Sequence, residues 1–231
     1  LMYKPGKFNF RASYAAGFRT PTLSELYATD IAKKNDRLTI GNLDLKPEKN
    51  NYFSLSAEYV HERFSVSVNA FYNNIRDMID YNTIATGDKA MEQYGHKEVR
   101  QRDNIAEAKV HGINVSANAY LGAGFNLSGG YTHLNTQDVE LEQPIDKSIK
   151  NAYNINAQWA HSWKIYRLNI NLNGRINSKR FSKSYGYAPE YQLWDLNTRH
   201  SFNLKSVIIE PGFGMENLFD YMDDRPYNSN Y

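Results

Sequence analysis

The chain has 231 residues, 27 Lys and Arg against 25 Asp and Glu, six His and a formal net charge of +2, so composition gives no electrostatic case for a nucleic-acid partner. It has no cysteine, which excludes disulfides, thiolate metal sites and thiol nucleophiles. No apolar run approaches the ~20 residues of a membrane-spanning helix, yet 18 Tyr and 11 Phe are a heavy aromatic load for a mean hydropathy of −0.67.

Period-two alternation runs through the chain from its first residues. Residues 7–18 read as a strand, and a long polar stretch, 19–49, follows. In 51–60, Phe53, Leu55, Ala57 and Tyr59 oppose Ser54, Ser56 and Glu58. In 63–72, Phe64, Val66, Val68, Ala70 and Tyr72 oppose Ser65, Ser67 and Asn69. Strands at 110–121 and 125–133 come next, then 151–163, where Tyr153, Ile155, Ala157, Trp159 and Trp163 oppose Asn154, Asn156 and Gln158. Residues 166–176 put Tyr166, Leu168, Ile170, Leu172 and Ile176 on one face and Arg167, Asn169, Asn171, Asn173 and Arg175 on the other. Residues 193–204 and 207–217 complete about nine strands, several longer than the usual ~5–6 residues. No stretch reads as an amphipathic helix.

The connections alternate too. Short ones fall at 61–63, 122–124, 163–164 and 205–206; long ones at 19–49, 82–97, 135–147 and 177–190. Alternation alone leaves two readings open, a soluble β-sandwich or propeller and a membrane barrel. Three features favour the barrel: long strands, a polar face of Asn, Arg, Ser and Gln rather than Lys and Glu, and aromatics near strand ends (Tyr59, Tyr72, Tyr120, Tyr131, Trp159, Trp163, Tyr166). In lipid an open sheet edge is forbidden, so about nine strands imply more wall elsewhere. Both ends of the chain read as cut.

Five stretches resemble TonB-dependent outer-membrane receptors in the order that family shows them. Phe18-Arg19-Thr20-Pro21 resembles its Phe-Arg-Ala-Pro element, and Asn42-Leu43-Asp44-Leu45-Lys46-Pro47-Glu48 its Asn-Pro-Asn/Asp-Leu-x-Pro-Glu element, with Leu43 where Pro is usual. Residues 70–81, 106–119 (Asn114 in place of the common Glu), and 191–202 with 212–227, the latter carrying Asn217-Leu218-Phe219-Asp220, resemble later strands of the family. The resemblance is nearest to cobalamin and haem receptors. It implies an all-β fold, an antiparallel transmembrane β-barrel of about 22 strands around an N-terminal plug. Residues 1–231 would be the C-terminal part of that barrel, without plug, early strands or final strand. The implied place is the bacterial outer membrane, and the implied partners are the lipid bilayer and a TonB-type energy-transducing protein reached through the plug. A surface-exposed lipoprotein is a further candidate partner.

The expected function is energy-coupled import of a bulky scarce nutrient: cobalamin first, then haem, then a ferric siderophore, with no covalently bound cofactor. The alternatives are a non-coupled channel or adhesin, and a soluble β-rich binding module. Candidate ligand contacts are Tyr185, Tyr187 and Tyr191, whose rings carry a polar handle; His96, an imidazole in an outer loop; and Arg100 and Arg102, which can meet chelate carboxylates. No His stands between Pro21 and Asn42, where haem receptors of the family tend to place a ligand. The loop-motif residues Phe18, Arg19, Pro21, Asn42, Leu45 and Pro47 are expected to shape a loop rather than touch ligand. No Ser/His/Asp, His-cluster or glycine-rich phosphate signature suggests an enzyme.

Overall fold

The computed structural model describes residues 1–182 and 186–222. In chain order the elements are β1 (Met2–Tyr3), β2 (Phe8–Arg19), α1 (Leu23–Tyr27), β3 (Thr29–Ala32), β4 (Arg37–Ile40), β5 (Glu48–Val60), β6 (Phe64–Thr86), α2 (Gly87–Tyr94), β7 (Glu98–Gly122), β8 (Phe125–Asp138), β9 (Asn151–Trp163), β10 (Tyr166–Asn177), β11 (Arg180–Ser182), β12 (Gly186–Ala188), β13 (Tyr191–Leu204), β14 (Val207–Ile209) and β15 (Gly212–Met215). The wall is an antiparallel meander in the order β1-β2-β5-β6-β7-β8-β9-β10-β13-β14, with β15 also on β13. The nine expected strands are β2, β5 to β10, β13 and the interrupted pair β14 and β15. All short turns lie at one end of this meander.

Register explains the two faces. Leu172 stands between Ala157 and Leu196, while its neighbour Asn173 stands between Asn156 and Asp195. The Asn156 amide donates to the Asn171 and Asn173 side-chain oxygens at 3.0 and 2.7 Å, so the polar face is laced together across strands. The apolar face has no cover from the described residues: Leu55 is 62% and Phe53 50% exposed. Packing between elements runs along sheet neighbours, with α2 the exception against β6 and β7. Among the described residues no second layer seals Leu168, Ile170 and Leu172, as a soluble sandwich would require. In water each such side chain would forgo ~1.5–3 kcal/mol of burial; hydrocarbon removes that cost.

Ring contacts mark both margins of the apolar band. Near the short turns, Phe8 and Tyr59 lie 4.9 Å apart, Tyr59 and Phe64 5.6 Å, and Trp163 and Tyr166 5.4 Å. Higher up, Tyr14 meets Phe53 at 4.7 Å and Tyr131 meets Tyr153 at 4.8 Å. Along β6 the band runs from Phe64 to Tyr72, roughly 27 Å at ~3.4 Å per residue, or about 21 Å of height at a ~40° tilt, a little below the ~25 Å band of a membrane barrel.

Three expectations change. Two short helices exist where none was read. The polar stretch at 82–97 is not a loop throughout: β6 continues to Thr86 and β7 begins at Glu98, so the hairpin rises far above its neighbours. Likewise β8 carries on to Asp138, shortening the next connection.

Candidate functional site

Above the wall, β4 adds to the raised β6–β7 hairpin in parallel, with Leu38 opposite Val99 and Thr39 opposite Arg100. Alternation then gives this small sheet two unlike faces. Leu38 and Val99 bury themselves against Ala90 of α2, joined by Ile40, Ala85 and Tyr94. The opposite face carries Arg37, Arg100 and Arg102, together with Glu98, Thr39, Thr83 and Tyr81.

On that face the Arg100 Nε donates to Glu98 Oε1 at 2.5 Å. The Arg102 guanidinium lies 3.6 Å over the Tyr81 ring, and its Nη2 donates to the Tyr81 hydroxyl. The Arg37 Nε is buried with no hydrogen-bond partner among the described residues. Three guanidinium groups therefore face two carboxylates, Glu98 and, opposite Thr39 on β3, Asp30, and Arg102 keeps donors beyond its tyrosine contact. Such a surface attracts anionic, planar or chelating groups.

His96 sits at the edge of the same unit. Its Nδ1 is 2.8 Å from Asp36 Oδ1, and the Lys97 N–H donates to the Asp36 carbonyl at 3.1 Å. The imidazole holds the Asp36 carboxyl below its usual range. A carboxylate accepting from Nδ1 leaves Nε2 as the unprotonated ring nitrogen, the arrangement that backs histidine ligands in metal sites. Among the described residues no group of three or more His, Asp and Glu is arranged to hold a metal ion by itself.

The loop motif forms the base of this unit. The Thr22 side chain and Glu25 make a reciprocal capping box at α1. Arg19 forks onto Glu48 at 2.7 and 2.6 Å and also reaches Glu25 at 2.9 Å. The Asn42 side chain accepts from the Asp44 N–H, Leu45 is buried, and the Lys46 peptide beside Pro47 pairs both its N–H and its C=O with the Asn104 side chain. Pro21 leads into the Thr22 cap, where a missing N–H costs nothing. Phe18 is 76% exposed on the outward face.

The tyrosines separate. Tyr187 lies on β12 with its ring 5.4 Å from Phe181. Tyr191 opens β13 and stacks on Tyr221 at 5.3 Å. Tyr185 lies outside the described residues. Of the residues this unit brings together, the sequence reading names Arg100, Arg102 and His96 and does not name Arg37, Tyr81 or Asp36. The alternation of Arg37, Leu38, Thr39 and Ile40 was the available signal.

Residues 1–218 match the family model described as TonB dependent receptor-like, beta-barrel. A Haemophilus influenzae protein named "Probable hemoglobin and hemoglobin-haptoglobin-binding protein 4" is 28% identical over 91% of this chain and 23% of its own length. A ferric enterobactin receptor of Pseudomonas aeruginosa superposes with a TM-score of 0.74 at 19% identity, covering 94% of this chain and 33% of that one. The siderophore receptor PirA of Acinetobacter baumannii gives 0.71 at 15%, covering 95% and 36%. The chain thus spans about a quarter of the curated relative's length and about a third of the solved structures.

Proposed function

Because the chain belongs to the TonB-dependent receptor-like β-barrel family, a family of the bacterial outer membrane, we propose that residues 1–231 supply wall and outer loops to a receptor that imports an iron-bearing, anionic ligand. They would form the C-terminal part of its barrel. Uptake would be coupled to a TonB-type protein through a plug, and a surface-exposed lipoprotein is a candidate for delivering cargo. The observation that carries this reading is the raised β4–β7–β6 sheet, with Arg37, Arg100 and Arg102 on one face and the Asp36–His96 pair at its edge. The guanidinium face suits carboxylates or deprotonated chelating oxygens, and His96 offers an iron ligand.

Haem and ferric siderophores stand ahead of cobalamin here, reversing the order taken from the motifs. Cobalamin brings no carboxylates for three arginines to meet. The named haemoglobin-binding relative and the siderophore-receptor neighbours lean the same way.

The receptor in its complete chain, titrated separately with hemin, a ferric catecholate siderophore and cyanocobalamin, tests this reading. We expect tight binding of one iron ligand and a drop of at least tenfold in Arg100→Ala/Arg102→Ala. Tight binding of cyanocobalamin alone, or unchanged affinity in the double variant, would overturn it.

A further inference from the structure

Three neighbouring strands build a graded surface on the outward face at the short-turn end. Lys164 lies in the β9–β10 turn and Lys205 in the β13–β14 turn. The Asn203 N–H donates to the Ile165 carbonyl at 2.7 Å, so these turns stand side by side. Above them Trp163, Tyr166 and Phe202 form one cross-strand row. Their ring centroids are 5.4 and 4.9 Å apart, with interplanar angles of 12° and 28°. The next outward row is His161, Leu168 and His200, and the one after is Trp159, Ile170 and Thr198.

The imidazoles are held in place. His161 meets Trp163 edge-on at 4.5 Å and Trp159 face-on at 5.9 Å. His200 Nδ1 is 2.7 Å from the Tyr166 hydroxyl, which leaves Nε2 free to point elsewhere. From the turns upward the surface passes from the lysine ammonium groups, flanked by exposed Ile165, Leu204 and Val207, through amphipathic rings to the aliphatic carbon of Leu168 and Ile170. From Tyr166 to Ile170 the strand rises roughly 13 Å at ~3.3 Å per residue, running from headgroup level, where amphipathic rings sit, into hydrocarbon.

Charge selects the headgroup. The short turns carry Lys4, Lys7, Arg63, Lys164 and Lys205 against Glu62, and close to them only Glu58 and Glu210 add carboxylates among the described residues. Most of the acids lie toward the long loops instead. Neither Lys164 nor Lys205 has a carboxylate in ion-pair range among the described residues. A second copy of the chain seated here symmetrically would oppose these lysines with its own.

We infer that this surface binds one anionic phospholipid from the leaflet at the short-turn end. Lys164 and Lys205 take the headgroup phosphate, Trp163 and Tyr166 lie at glycerol depth, and an acyl chain lies along Leu168 and Ile170. The inference rests on the membrane-facing wall and not on the imported ligand.

Native mass spectrometry of the complete receptor, titrated with phosphatidylglycerol and phosphatidylcholine of matched chains, tests it. Each lysine near an anionic surface contributes about fivefold, so phosphatidylglycerol should bind at least fivefold tighter. Lys164→Gln/Lys205→Asn should bring the two lipids within twofold; Asn is chosen because residue 205 has a φ of 56°. Lys33→Gln/Lys34→Gln, at the long-loop end, should leave the preference intact. Equal binding of both lipids by the unaltered receptor, a preference that survives in the first variant, or its loss in the second would each overturn the site.

Discussion

The indole of Trp194 lies across the backbone of Gly174 on the adjacent strand: a Cβ placed on Gly174 would stand 2.5 Å from Trp194 Cζ3. The Trp194 Nε1–H also donates to Gln192 Oε1 at 3.0 Å, fixing the ring near the upper margin of the apolar band. Glycine in a strand forgoes packing, and a neighbouring aromatic restores it. Gly174→Ala should therefore push the ring off its seat and destabilise the barrel by about 1–3 kcal/mol, read as a lower urea midpoint in detergent. Gly129→Ala is the matched control. Its added Cβ would meet only the Asn154 carbonyl at 3.3 Å, so its midpoint should move far less.

The Arg19 guanidinium, helped by the Thr22 cap, holds the Glu25 carboxyl down at about 2. A carboxylate depressed on folding contributes stability that is full above its ordinary pKa of about 4.5 and lost as pH falls through about 2. The α1 segment should accordingly keep its hydrogen-exchange protection from neutral pH to about 4.5 and lose it progressively below. Glu25→Gln should show weaker protection at pH 7 and a flat profile across that acid window. A wild-type profile equally flat would remove the Arg19–Glu25 contact as the cause.

The wall was legible because its two faces meet chemically opposite media. Leu168, Ile170 and Leu172 face hydrocarbon and Asn169, Asn171 and Asn173 face a polar interior, so selection writes a strict two-residue period. Above the band that contrast ends. Residues 98–104, Glu-Val-Arg-Gln-Arg-Asp-Asn, are mostly polar on both sides of the strand, so the upper half of β7 read as loop. Helix α2 has eight residues, too few for a helical period to stand out, although Gly95 in the left-handed region closes it. The parallel pairing of β4 with β7 joins residues about sixty apart through two loops, and no local signal encodes it. Arg100 and His96 are named by residue type; Arg37, which joins Arg100 on one face, and Asp36, which pairs with His96, come from the other loop.

Asn104 ties those two loops to the wall. Its side chain accepts from the Lys46 N–H at 2.7 Å and donates to the Lys46 carbonyl at 2.9 Å and the Asp77 carbonyl at 2.6 Å. Asp77 has a φ of 57° within the register shift where the hairpin leaves the band. Asn104→Ala strands these backbone groups, at ~1–3 kcal/mol for each that water does not reach. Limited proteolysis should then cut near residues 41–48 several times faster, while heat-modifiable migration of the barrel stays unchanged. Asn104→Asp keeps the acceptor for Lys46 N–H but loses both donations, so its cleavage rate should fall between the two.

The Asp36–His96 pair separates the haem and siderophore readings. If His96 Nε2 ligates haem iron, Asp36 sets the basicity and orientation of the ring, and Asp36→Asn should weaken hemin binding by about 10–100-fold. His96→Ala should abolish the low-spin Soret signature altogether. Asp36 and His96 also join the β3–β4 turn to the end of α2, so a purely structural role must be distinguished from ligation. Structural loss would raise protease sensitivity at residues 33–37 and lower affinity for every ligand together, with no shift in the hemin spectrum of the remaining complex. His96→Gln keeps a hydrogen-bonding partner for Asp36 but offers no imidazole. It should preserve protease resistance and still lose the Soret signature if iron sits on His96. Retention of the wild-type spectrum in His96→Gln would assign the pair to holding the loops and leave the arginine face as the capture surface.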